Sequence, residues 1–215
     1  MLPTPPAPRL KTNWFRHGAS RGAAQQASAA AFIVWRVARH MLDRTRHAGF
    51  GVEIGPPYFG FLREVLAFLV AVADRIAYAR LDAAQRLEFT GALAHHLARI
   101  LQDSEDDLIG PAPAGQASHG DSFIDLVNEL AAHYAEFEAD PTVPDAPGSF
   151  TPGFAFLRYL GTRLEPVLPP EDRRWILDQV MAVQAPEAVA MLQQSLRDLF
   201  DPPARARRRE AVSGD

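Results

Sequence analysis

Residues 57–81 read PYFGFLREVLAFLVAVADRIAYARL. The centre of this stretch, residues 65–73, is nine apolar residues in an unbroken run. A helix built from it has no polar face, so it must be covered on every side. Arg63-Glu64 and Asp74-Arg75 bracket the run. They stand too close together for the roughly 20 apolar residues of a membrane span. The stretch therefore reads as the central helix of a soluble helical domain.

Working outward, the pattern stays helical. Residues 22–47 carry Phe32, Ile33, Trp35, Val37 and Met41 with Arg36, Arg39, Arg44 and Arg46 around them, which predicts a basic first helix. Gly49, Gly51, Gly55, Pro56 and Pro57 mark a loop before the central helix. Asp82 and Gln85 approximate a capping box and start a third helix. Asp103 to Asp107 and then Gly110-Pro111 are expected to end it. Further helices are expected over residues 121–139, 152–164, 170–184 and 186–200, the last restarted by Pro186. Pro169-Pro170 followed by Glu171-Asp172 is a helix-start signal, with acids at the positive end of the helix dipole. No stretch alternates as a strand would, so the class is all-α with six to seven helices. Residues 1–20 read as a proline-rich arm, 21–200 as one helical domain and 201–215 as an Arg-rich tail.

Composition removes several chemistries. There is no cysteine, which excludes disulfides, thiolate catalysis and cysteine-ligated metals. The first residues show no secretory pattern, so a cytoplasmic location is expected. The net charge of −4 hides an asymmetry. Residues 1–50 carry eight basic side chains against Asp43 alone, and residues 101–149 carry eleven acids and no Lys or Arg. The plain expectation is that the basic first helix lies near the acidic middle, both largely solvated. Such a middle argues against a nucleic-acid partner.

Residues 57–63 and 152–158 share P-x-F-[GA]-F-L-R. Both follow a Gly/Pro loop and open a helix. Phe32-Ile33 and Phe123-Ile124 precede them at similar spacing. This suggests two three-helix units, 22–108 and 121–184, with residues 186–200 added. A groove between the units would then be the default pocket. The repeated Arg63 and Arg158 would face carboxylates or anions there, or lay their stems on apolar surface.

Phe15-Arg-His-Gly-Ala-Ser20 contains RHGxS, which resembles the active-site signature of the histidine phosphatases. The resemblance covers five residues and implies a nucleophilic His17 after a buried strand of an α/β fold. Residues 11–14 are no strand and the rest of the chain reads as helical, so the required context is absent.

Other candidates are dispersed. Glu129, His133 and Glu136 share one helical face, but their spacing misses the Glu-x-x-His of dinuclear bundles. Glu88, His95 and His96 are also off that spacing, and His40 and His47 sit on an arginine-rich face. No metal site is assigned, and no cofactor can be named. His96 falls on the stripe of Phe89, Leu93 and Ile100, as a core or pocket residue. Asp74 closes the apolar run with Tyr78 one turn later. A carboxylate beside a core needs a partner, and Arg36 or Arg39 is expected to supply it. The first functional reading is a non-enzymatic protein-interaction or regulatory module, self-associating or bound to a protein partner, with residues 186–200 lying on the core or forming a dimer face. The alternative is a small-molecule or cofactor-binding protein, or an enzyme, with a pocket between the units lined by Asp74, Tyr78, His96 and His133. Nucleic-acid binding through the first helix and the tail ranks last.

Overall fold

A computed structural model describes residues 22–143 and 148–201. The expected arm, His17 and most of the expected tail lie outside these residues. The helices are α1 (Ala23–His47), α2 (Pro56–Tyr78), α3 (Ala83–Ile109), α4 (His119–Glu136), α5 (Phe154–Leu164), α6 (Pro170–Gln179) and α7 (Ala185–Phe200). Among the described residues there is no strand, only an isolated antiparallel bridge between Ala139 and Pro152. The class is all-α. No described helix is long and apolar enough to cross a membrane.

The expected break at Pro186 is absent. α6 passes through a π-turn, Val180–Gln184, straight into α7, giving six helical rods among the described residues. Proline has no N–H to give and its ring crowds the carbonyl four residues back. A wider turn absorbs both problems without ending the helix. The turn is pinned to α1: Gln184 is buried there and meets the Thr45 hydroxyl, which also lies 2.8 Å from Met41 O.

α2 is the hub. It contacts α1, α3, α4, α5 and α7. Of its apolar run, Val65, Leu66, Ala67, Phe68, Leu69, Val70, Val72 and Ala73 are buried. Ala71 is the one member only partly covered. A ring cluster of Phe68, Tyr134, Phe137, Phe150, Phe156 and Tyr159 covers the α5 side. Val189, Leu192, Leu196 and Leu199 of α7 are buried, and Phe200 lies 5.5 Å from Phe89. That face of α7 belongs to the core.

Ion pairs give the helix directions. Arg63 at the start of α2 meets Glu105 near the end of α3, and Asp74 near the end of α2 meets Arg86 near the start of α3. The two run antiparallel. Arg75 of α2 donates to carbonyls at the end of α4, so α2 and α4 run parallel. α3 starts as expected, with Asp82 accepting from Gln85 N at 2.8 Å in a complete capping box. It does not stop at its acids. The helix runs on to Ile109 and is capped by Gly110, at φ 89°. Glu105, in the middle of that acidic stretch, is fully buried because Arg63 and His119 partner it.

The repeated motif opens α2 and α5 as expected, and Phe61 and Phe156 are both fully buried, but other matched side chains do different jobs. Phe59 is buried and Phe154 exposed. Arg63 holds Glu105, whereas Arg158 is exposed with no described partner. Among the described residues, Arg44 of α1 pairs with Glu187 of α7, and His40 lies 3.3 Å from the same carboxylate.

Candidate functional site

The gap over Ala71 is the mouth of a cavity of about 370 Å³. α2 forms its floor with Ala67, Val70, Ala71 and Asp74. α3 supplies Arg86 and Thr90, and α4 supplies Val127, Ala131, Tyr134 and Ala135. The reason for the opening is residue size. Near its start, α4 sits against α3 at Gly120, where an added Cβ would lie 2.7 Å from Gln102 Oε1 and 3.3 Å from Ala98 O. Toward the other end, two of the four α4 residues at the cavity, Ala131 and Ala135, are alanines, too short to fill the space.

The polar groups of the cavity are tied together. Asp74 accepts from Arg86 Nε at 2.9 Å, from Arg86 Nη2 and from the Thr90 hydroxyl at 2.7 Å. The Asp74 hydrogen bond is the main reason the Arg86 guanidinium is held more basic than usual. Arg86 also stacks 4.9 Å over the ring of Tyr78. Arg75 Nη2 donates to the carbonyls of Tyr134, Ala135 and Phe137 at 3.2, 3.0 and 3.1 Å. It thereby caps the carbonyls that α4 leaves open at its end. Tyr134 enters the wall by its position on α4, and its ring packs 4.6 Å from Phe156. Its hydroxyl is buried with no hydrogen-bond partner. Burial is the first cause, and nearby Glu64 the second, of a phenol pKa well above the usual range.

The expected site residues do not converge. Asp74 lines the cavity, but its partner is Arg86 of α3, in place of the expected Arg36 or Arg39 of α1. A turn of four residues joins α2 to α3, so Arg86 returns beside Asp74 on the antiparallel neighbour. Tyr78 is exposed beneath Arg86. His96 sits partly buried on α3 against Arg99. Desolvation, then Arg99, lowers its pKa from 6.5. His133 is exposed on the other side of α4, 5.5 Å from Tyr159. Glu129 of the same face approaches Arg163, which is bound bidentately to Glu64.

Arg63 belongs to a second cluster. Its Nε and Nη2 meet Glu105 at 2.9 and 2.5 Å. His119 Nδ1 lies 2.8 Å from the same carboxylate, and its Nε2 lies 3.1 Å from Gly110 O. A hollow of about 330 Å³ lies outside this cluster, lined also by Gly60, Gln116 and Ser122. Among the described residues no three His, Asp or Glu side chains are placed to hold a metal ion.

The sequence does not single out Arg86, Thr90, Val127 or Ala131. A signal for Arg86 is present in the capping box, which fixes where α3 begins and hence which of its residues face Asp74. Nothing comparable marks Ala131.

Comparison with protein-family models, curated proteins and solved structures finds no match.

Proposed function

We propose that this protein is a non-catalytic binding protein that holds a small, mainly apolar molecule in the α2–α3–α4 cavity. The observation that carries the reading is Ala71. It is the one partly covered member of the apolar run 65–73, and it opens onto a cavity. The cavity lies in the size range of small-molecule sites, with apolar walls and a few polar groups at one place. Binding is favoured over catalysis because those groups are engaged with one another: the carboxylate with a guanidinium and a hydroxyl, and the second guanidinium with backbone carbonyls. None of the exposed large apolar side chains lines this cavity; Trp175 and Val183 lie together in a separate, more open hollow beside Phe50.

The test is titration with N-phenylnaphthylamine, an uncharged apolar dye. Saturable one-site binding is expected, at least about tenfold weaker in Ala71→Trp, since a bulky ring removes the space the ligand would fill. Ala131→Trp obstructs the cavity from an exposed position on α4 and guards against misfolding of the first variant. Equal dye binding in the wild type and a well-folded Ala131→Trp would end this reading.

A further inference from the structure

We infer that the ligand of the α2–α3–α4 cavity carries an anionic, carboxylate-type head group, seated against Arg86 and Arg75. This rests on the binding reading given above and names the chemical class of the molecule.

An ionised carboxylate offers about four acceptor sites. Asp74 has filled three of them, two with Arg86 and one with Thr90. The Thr90 hydroxyl has one proton and spends it on Asp74. The carbonyls of Tyr134 and Ala135 at the wall accept from Arg75. The carboxylate, the strongest acceptor of the cavity, is therefore largely occupied, while the Thr90 oxygen keeps its lone pairs.

The donors are not. A guanidinium has five N–H groups. Arg86 uses Nε and Nη2 on Asp74, and its Nη1 has no described acceptor. Arg75 uses only Nη2, and its Nε and Nη1 have no described acceptor. Neither side chain has a buried polar atom without a partner, so these donors reach open space. What the cavity offers an incoming molecule is N–H groups. Two cations stand against one anion there. The negative end of α4 offsets part of the charge on Arg75, at about half an elementary charge. The balance still favours an anion, and the planar guanidinium matches a carboxylate in shape.

Three ligands with one tail and different heads test this: octanoate, octanol and octylamine. Their affinities are read by amide chemical-shift titration of the isotopically labelled 215-residue chain. Octanoate is expected to bind about tenfold or more tightly than octanol, as a charge-assisted hydrogen bond provides, and octylamine more weakly than either. The advantage of octanoate is expected to shrink as pH falls through its own carboxylic pKa. Arg86→Gln is expected to narrow the gap between octanoate and octanol. That variant leaves Asp74 with less support, so the wild-type comparison is the deciding one. Equal binding of octanoate and octanol, or tighter binding of octylamine, overturns the head-group assignment and leaves the cavity reading standing. No binding by any of the three overturns both.

Discussion

The seam between α2 and α3 carries the same kind of ion pair at each end, written in opposite directions. At one end the arginine is on α2 and the carboxylate on α3, Arg63 with Glu105. At the other the carboxylate is on α2 and the arginine on α3, Asp74 with Arg86. Their environments differ. The Glu105 side chain is 0% exposed, closed over by His119 where α4 begins. The Asp74 side chain is 23% exposed, at the edge of the cavity that the α4 alanines leave open. The lesson is that α4 decides. A glycine at contact and a histidine over the carboxylate seal one end, and small side chains leave the other available to a ligand.

Neutralising each carboxylate is the strongest way to break the comparison. Glu105→Gln should cost about 3 kcal/mol, because it removes one partner of a buried pair and leaves the Arg63 cation unbalanced. Asp74→Asn should cost about 1 kcal/mol, since solvent reaches that end and screens the loss. Chemical denaturation of both variants measures the difference, and equal costs would show that burial does not separate the two ends. Gly120→Ala probes why one end is closed. An added methyl displaces the Gln102 amide that accepts from Gly120 N and crowds Ala98 O, at about 1 kcal/mol, and an unchanged denaturation midpoint would remove the close approach as the cause.

Tyr134→Phe removes a buried hydroxyl that has no partner, so it should be neutral or stabilising by about 1 kcal/mol at pH 7. Its pH dependence sharpens the point. The folded pKa lies above the ordinary value of 10, so the wild type binds more protons folded than unfolded at high pH. Its stability should therefore fall as pH rises above 10, and the Phe variant should lose part of that fall. The smallest effect belongs to His96. Its folded pKa lies below 6.5, so stability is full above that value and declines as pH drops below it. His96→Gln should flatten this decline, and imidazole NMR titration of the wild type should give a midpoint below 6.5.

Much of the architecture is legible in the sequence. The apolar run at residues 65–73 points to a helix covered all round, and α2 is that helix. The start of α3 is written in Asp82 and Gln85, and the end of α1 in Gly49 and Gly51. The acids at 103–107 mislead, because a charge run reads as a solvated end and one of the five positions is a buried partner of Arg63. Pro186 misleads for a related reason: proline signals a break, but a π-turn inside a packed rod tolerates it. The site is less legible. Asp74 stands out as a charge beside a core, yet its partner lies on a neighbouring helix. His96 and His133 draw notice for their chemistry and lie elsewhere.

The sequence by itself determined that this chain is helical, where most helices begin, and which of them is central. Those properties follow from the period of apolar residues and from local hydrogen bonding at helix ends, both of which act within a few residues. Tertiary structure alone decided that Glu105 is buried, that Arg86 rather than an α1 arginine meets Asp74, and that Ala71 is left uncovered. Each depends on what a second helix places opposite, at a distance set by the size of the side chains between. A missing methyl or ring on α4 leaves no trace in the sequence of α2, and the cavity exists because of it.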